Sequence, residues 1–259
     1  MDKVVATAAE AVVGIRDGAS IASGGFGICG IPAVLIDAVV EAGVERLEIF
    51  SNNCGTDGVG LGKLLDRGRI RRIVASYVGE NKEFARQYLG GELEVELTPQ
   101  GTLAERLRAA GVGVPAFYTR TGTGTAVASG GLPWRYTSDG RVAVASPPKP
   151  TAEFDGTSFV LERALPADFA LVRAWKGDRH GNLVFRKAAR NFNPVCAMAG
   201  RISVAEVEHL VEPGELDPDA VHLPGIYIDR VLPLTPGQVA HKGIERLTVK
   251  PRGGAGRGA

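Results

Sequence analysis

The sequence predicts an α/β protein: an open, mostly parallel sheet with helices on both faces and a β-richer second half. Three observations carry that reading. Short apolar strands alternate with amphipathic helices four times before residue 120, the pattern of a parallel sheet covered on both sides. The chain has 259 residues, 44% of them apolar, enough to bury a sizeable core without disulfides or metals. Glycine, 35 of the 259 residues, runs at about twice its usual share, so tight turns punctuate the alternation.

Val5, Ala8, Ala9, Val12 and Val13 fall on one helical face and Gly18 follows as a stop, which predicts an opening amphipathic helix. A short apolar strand spans 19–23. Pro32 suits the first turn of a helix that carries Val34, Leu35, Ala38 and Val39 and stops at Gly43. The alternation then repeats, with strands over 47–51, 70–78, 93–98 and 114–119 and helices over 60–66, 81–89 and 103–110 between them. Beyond Gly131 the rhythm changes. Residues 141–145 read as a strand, and 153–154 with 157–161 as a hairpin about an Asp155-Gly156 turn. Further strands are expected over 169–175, 183–185, 202–211 and 226–231. A (β/α)8 barrel needs twice the crossovers present, which leaves the open sheet. Pro147-Pro148-Lys149-Pro150 is the best internal break, but it is short and reads as a loop within one domain over 1–250. The Gly- and Arg-rich tail at 251–259 cannot bury anything and is expected to be disordered.

Lys and Arg number 30 against 29 Asp and Glu, a formal +1. That gives no overall field to draw the chain onto nucleic acid or an anionic bilayer, and neither is expected as a partner. Cys29, Cys54 and Cys196 form no C-x-x-C pair and fit a reducing compartment, so a cytoplasmic location is expected. Met1-Asp2-Lys3 leads into a stretch broken by Glu10, which is no secretory signal. Residues 18–36 make an uncharged 19-residue window, yet five glycines, two serines and Pro32 break it into strand, loop and helix. His180, His209, His222 and His241 lie far apart without metal-ligand spacing, so no metal site is expected. The G-x-S-x-G of serine hydrolases is absent. Cys29 lies in a glycine loop, where it is either a reactive thiol or a small buried hydrophobe.

Gly25-Phe26-Gly27-Ile28-Cys29-Gly30 matches G-x-G-x-x-G between a strand and a helix, the context of a dinucleotide fingerprint. The match is incomplete, because the second strand ends in Ser51-Asn52-Asn53 rather than in the acidic residue that holds a ribose. Two other readings stand beside it: glycines that turn tightly and let helix and strand pack, and a backbone loop closing over a pantetheine or acyl group. Gln100 follows a strand through Pro99, which places an amide at the carboxyl end of a parallel strand, where open α/β sheets bind ligands. It is there as a hydrogen-bond donor or as a helix-cap residue. Asn52 and Asn53 hold the equivalent place after the second strand. The stretch 119–131, with Gly122 and Gly124, is a pocket wall or a plain surface loop.

Asp17-Gly18, Ile21-Ala22-Ser23, Gly24-Gly25-Phe26 and Gly30-Ile31-Pro32 together resemble the signature of the A (alpha) subunit of family I coenzyme A transferases. The resemblance extends through Phe50-Ser51-Asn52-Asn53, Ser76 to Asn81, Glu96 to Thr102 and Val114 to Thr119. It continues into Trp175-Lys176 and Phe185 to Asn193, and is greatest for the succinyl-CoA:3-ketoacid type. Ser23 departs from it, standing where a third apolar residue is the rule. The resemblance implies ping-pong acyl transfer through a glutamyl thioester, with no metal or redox cofactor. It implies that the nucleophilic glutamate belongs to a B subunit, in an A2B2 assembly. Gln100 would be the oxyanion donor, and Gly25, Phe26, Gly27, Gly30, Asn52, Asn53, Gly122 and Gly124 would line the substrate and CoA site. Glu80, in Gly79-Glu80-Asn81-Lys82, mimics the nucleophile's setting but lacks the following glycine and suits a helix N-terminus. Acetate-, butyrate- or 3-oxoadipate-type transferases are the alternatives within the class. Outside it stand a noncatalytic CoA-binding module and a sugar-phosphate isomerase of similar topology.

Overall fold

The computed structural model describes residues 1–79 and 81–240; Glu80, His241 and the tail at 251–259 lie outside the described residues. The chain opens with one helical turn, α1 (Ala8–Ala11), capped by the Thr7 hydroxyl. It then alternates through β1 (Ser20–Ser23), α2 (Ala33–Ala42), β2 (Leu47–Phe50), α3 (Gly62–Leu65), β3 (Ile70–Ala75), α4 (Lys82–Leu89), β4 (Glu94–Leu97) and α5 (Gln100–Gly111). The middle of the chain builds smaller antiparallel pieces from β5 (Ala116–Thr119), α6 (Ala126–Ser129), β6 (Pro133–Tyr136), β7 (Val142–Ala145), β8 (Thr151–Phe154) and β9 (Thr157–Arg163). The last third comprises β10 (Ala167–Asp178), β11 (Leu183–Val184), α7 (Asn193–Ala199), β12 (Gly200–Val211), β13 (Arg230–Pro233) and α8 (Pro236–Ala240).

The main sheet runs β13-β12-β10-β1-β2-β3-β4, every neighbouring pair parallel, with β11 folded back antiparallel on β10. Strand residues alternate between two apolar layers. Ile21, Ile49, Ile73 and Val95 meet Leu35, Ile36, Leu64 and Phe84 of α2, α3 and α4 on one face. Ala22, Phe50, Val74, Ala170 and Val172 meet Leu103 and Leu107 of α5 and Cys196 and Ala197 of α7 on the other. The order reverses between β1 and β10, because the chain grows outward from β1 to β4 and then returns to β1's other side. At such a switch point the carboxyl ends of two strands part and leave a crevice.

The structure corrects several expectations. The strand expected over 114–119 forms as β5, but it leaves the parallel sheet and pairs antiparallel with β9. Its four residues are nowhere fully buried, so it lacks the two covered faces that a central parallel strand needs. The opening helix is cut to one turn, with Gly14 at φ +96° ending any continuation. The strand expected over 226–231 begins only at Arg230, because Ile228 N–H turns back to the Gly225 carbonyl in a 3-10 turn. Helix α7 is an addition to the expected elements, although Pro194 in its first turn is a start signal. The Asp155-Gly156 hairpin forms as expected, both residues left-handed at φ +49° and +70°.

Candidate active site

Three neighbouring strands deliver polar side chains to one rim of the sheet. Asn52 and Asn53 lie just beyond β2, Ser76 just beyond β3, and Gln100 follows β4 as the first residue of α5. Gln100 Nε2 donates to Asn52 Oδ1 at 2.7 Å, and Ser76 Oγ donates to the same oxygen at 2.8 Å. Asn52 Nδ2 reaches Asn53 Oδ1 at 3.4 Å, and that oxygen accepts from the Gly27 N–H at 2.9 Å. Asn53 Nδ2 donates to the Gly27 carbonyl at 3.3 Å. Asn52 and Asn53 are buried, whereas Gln100 and Gly27 are exposed, so a buried pair of amides joins two solvent-facing ends. The cluster consists of amides and a hydroxyl, which donate and accept hydrogen bonds but do not titrate near neutral pH. It can orient a carboxylate or stabilise an oxyanion, and among the described residues it contains no carboxylate of its own.

Strands β1 and β2 are each followed by the same tight hairpin. Phe26 and Cys29 bridge around Gly27-Ile28, and Thr56 and Val59 around Asp57-Gly58. Each is flanked by left-handed glycines, Gly25 (φ +120°) and Gly30 (+70°) in the first and Gly55 (+67°) and Gly60 (+59°) in the second. In the first hairpin, a Cβ on Gly25 would meet Ile31 Cγ2 at 2.8 Å, and one on Gly30 would meet the Ala189 carbonyl oxygen at 2.8 Å. Gly27 is different: φ is +60°, yet nothing lies within 4 Å of a Cβ there. Gly25 and Gly30 are therefore required by packing, and Gly27 holds open space.

The first hairpin is anchored from the far side of the switch point. Asn193, fully buried at the start of α7, donates from Nδ2 to the Gly30 carbonyl (3.0 Å) and accepts on Oδ1 from Arg173 N–H of β10 (3.0 Å). Asn191 Nδ2 donates to the Cys29 carbonyl at 3.0 Å. The helix that follows is capped in an unusual way. Pro32 offers no capping side chain, and Glu206 Oε2 of β12 accepts from Val34 N–H (2.9 Å) and Leu35 N–H (3.0 Å) instead. Glu206 is fully buried against Arg173 (3.2 Å), and burial pushes its carboxyl up to about 7, with Arg173 and the two amides pulling the other way. The amides that would hold a dinucleotide's pyrophosphate at the start of α2 are thus already bonded to a carboxylate.

Of the residues singled out in the sequence, Gln100, Asn52, Asn53 and Gly27 come together in one network, with Gly25, Phe26 and Gly30 in the adjoining hairpin. Gly122 and Gly124 lie between β5 and α6, and no hydrogen bond among the described residues joins them to that network. A Cβ on Gly122 would meet Val127 Cγ1 at 2.8 Å; one on Gly124 would meet nothing within 4 Å. Ser23, whose polarity sets it apart, is wholly buried, and its hydroxyl has no hydrogen-bond partner among the described residues. Ser76 escapes the sequence reading, although it follows a strand end just as Asn52 and Gln100 do. Asn193 and Glu206 escape it too, and no local pattern marks them, since their partners lie 163 and 172 positions away. Cys29 is half-buried in the hairpin bridge; Cys54 and Cys196 are fully buried, which pushes their thiols up.

Among the described residues, no helix is long and apolar enough to cross a membrane. The fold resembles that of an acyl-CoA transferase from Escherichia coli O157:H7 (TM-score 0.75, 24% identity), covering 92% of this chain and 48% of that one. A Mycobacterium tuberculosis protein, named as the A subunit of a probable succinyl-CoA:3-ketoacid coenzyme A transferase, is 68% identical over 250 residues, 96% of this chain and 100% of the relative. The human protein named succinyl-CoA:3-ketoacid coenzyme A transferase 2, mitochondrial, is 53% identical over 247 residues, 95% of this chain but only 47% of its own length. The sequence profile of the coenzyme A transferase family matches residues 5–233, which take in both hairpins and the whole amide network. The chain belongs to the coenzyme A transferase family.

Proposed function

We propose that this chain is the A (alpha) subunit of a 3-oxoacid CoA-transferase, moving CoA between succinyl-CoA and a 3-oxoacid in the cytoplasm together with a B subunit, in an A2B2 assembly. One observation carries the reading: the rim holds an oriented cluster of neutral amides and, in that cluster, no carboxylate able to act as nucleophile. Such a surface fits one half of a shared site. A relative of 68% identity bears the name of one subunit of such an enzyme, and the human relative is about twice as long as the matching stretch.

In the reaction so assigned, the acyl carbon of the thioester is attacked by a glutamate carboxylate from the B subunit, and the carbonyl electrons move onto oxygen. Collapse of that oxyanion expels CoA thiolate and leaves an acyl-glutamyl anhydride. The thiolate then attacks the glutamyl carbonyl, releases the first acid as carboxylate and forms the glutamyl-CoA thioester. The second acid reverses these steps. One thioester replaces another, so the scheme needs neither metal nor redox cofactor. This chain's part is to hold and polarise. Asn52, fixed by Ser76, accepts one N–H of Gln100, which orients the amide; the other N–H has no acceptor among the described residues and serves the oxyanion. Gly27, the glycine of this hairpin with open space beside it, lets the thioester arm approach the backbone.

The test is reconstitution. The purified chain alone should show no transfer, and addition of a B-type partner should restore it. Within that complex, Gln100→Ala should slow glutamyl-CoA formation about a hundredfold, roughly 3 kcal/mol, with KM nearly unchanged. Turnover by the chain alone, or a wild-type rate of thioester formation with the variant, would refute the respective assignments.

A further inference from the structure

The donor assigned to the oxyanion stands on an elbow that other residues hold. Gln100 is the first residue of α5, and its exposed side chain is tied to the cluster by the 2.7 Å bond to Asn52 Oδ1. Pro99, which precedes it, offers no capping side chain, so the placing of Gln100 falls to the backbone between β4 and α5. That backbone is anchored on two sides. The Thr98 N–H donates to the Ala75 carbonyl at 2.9 Å, which ties the elbow to the end of β3. On the other side stands Arg106, buried further along α5. Its Nη1 donates to Glu96 Oε1 of β4 at 2.6 Å and to Thr98 Oγ1 at 3.3 Å, while its Nε donates to the Arg163 carbonyl at the end of β9 at 2.9 Å. One guanidinium thus holds the strand that enters the elbow, a residue within it and a neighbouring sheet.

A buried ion pair is an expensive way to fill this place. Glu96 lies in register with Val74 and, beyond it, Phe50, in the layer that Leu103 and Leu107 of α5 cover. Apolar side chains of similar volume would close that layer at no greater cost. Nor does Glu96 depend on Arg106 alone for a counter-charge, since Arg72 of β3 binds its other oxygen while also holding Glu48 at 2.7 Å and Glu94 at 3.1 Å. What apolar residues cannot do is aim a rigid fork of N–H groups at three oxygens and fix the angle between them. An oxyanion donor needs that rigidity, because it stabilises the transition state only if it is in place before the charge develops. We propose that Arg106, braced by Glu96, is a positioning residue for Gln100: it fixes the elbow between β4 and α5 so that the second N–H of the Gln100 amide points at the oxyanion. The inference rests on the proposed reading of Gln100 as the oxyanion donor.

The test is a double-mutant cycle in the reconstituted complex, read as the rate of glutamyl-CoA formation. Arg106→Lys keeps a positive charge beside Glu96 but loses the fork. With Gln100 present it should slow the step about tenfold or more, with KM for succinyl-CoA nearly unchanged. In a Gln100→Ala background the same substitution should change the rate by less than about twofold, since the support of an absent amide has nothing left to lose. An equal loss in both backgrounds would overturn the proposal and make Arg106 a general support of the fold, and an unchanged rate with Gln100 present would overturn it outright. If the lysine variant does not assemble with its partner, Glu96→Gln, which keeps the shape and an acceptor oxygen, goes through the same cycle under the same criteria. If Gln100→Ala by itself transfers at the wild-type rate, the reading of Gln100 as donor fails instead. Order in the Gln100 side-chain amide, measured by nuclear relaxation on the isotope-labelled full chain, then decides the positioning on its own: an amide that is rigid in the wild type and loosened in the variant supports it, and an amide equally ordered in both refutes it.

Discussion

The two hairpins after β1 and β2 share a geometry and differ in what they do. The second holds the next helix, although its tip, Asp57-Gly58, is exposed. Asp57 Oδ1 accepts from Lys82 N–H at 2.9 Å and so fixes the start of α4, and a Cβ on Gly55 would lie 2.2 Å from the Val59 carbonyl oxygen. The first holds none. Its own residues cap no helix, since Glu206 from the far side of the sheet caps α2, and it leaves Phe26 and Gly27 in solvent. The two turns thus differ in what they hold: one fixes the start of the helix that follows it, whereas the other leaves that task to a carboxylate from a distant strand.

Four substitutions break or sharpen that contrast, from the largest expected effect to the smallest. Gly55→Ala forces a Cβ against backbone at a left-handed position, and should cost about 4 kcal/mol or more, read as loss of the folded transition in urea. Glu206→Gln should lower stability by roughly 1–3 kcal/mol by spoiling the cap on α2, and should also change its pH dependence. Glu206 titrates near about 7 in the fold against 4.5 ordinarily, so between those values the folded chain retains a proton that the unfolded chain has released. Stability should therefore fall as pH rises through that window and level off above it. The glutamine variant should lack that slope in urea titrations run across the same range. Gly27→Ala meets no atom and should cost only about 1–2 kcal/mol for the left-handed backbone, while KM for the thioester rises; an unchanged KM would show that the first hairpin, too, is purely structural. Asp57→Ala should cost about 1 kcal/mol through the lost cap and leave transfer untouched.

Much of this is legible in the sequence, for identifiable reasons. The alternation from β1 to α5 is local, written in apolar periodicity and in Gly43 and Pro32, and the parallel sheet follows from it. Gln100 and Asn52 both follow from one rule, that ligands gather beyond the carboxyl ends of parallel strands; Ser76 does not, because the sequence carries the third strand on to 78 whereas the structure ends it at Ala75. What is not legible is non-local. Nothing in the stretch 114–119 says that it will pair with β9 rather than β4, and nothing in a strand of alternating residues marks Glu206 as the cap of a helix 172 positions earlier. Sequence likewise cannot separate Gly25, pressed on Ile31, from Gly27, facing space, because both are glycines in one motif.

The position of β1 at the middle of the sheet has a consequence for how the protein is made. Its partner on one side, β2, follows within a few tens of residues, but the other, β10, joins it through pairs such as Ser20 N–H to Asp168 Oδ2, 148 positions on. At about 5–20 residues per second, a ribosome needs roughly 7–30 s to supply that stretch. Throughout that interval the nascent chain carries a half-sheet whose inner strand has one bare side of N–H and C=O groups, flanked by apolar faces meant for α7 and β10. Such an edge pairs with any extended chain that reaches it. Fragments that stop short of residue 167 should therefore aggregate where the full chain folds. Folding should be slow, because the sheet is complete only when β1 meets β10, a pairing of high sequence separation.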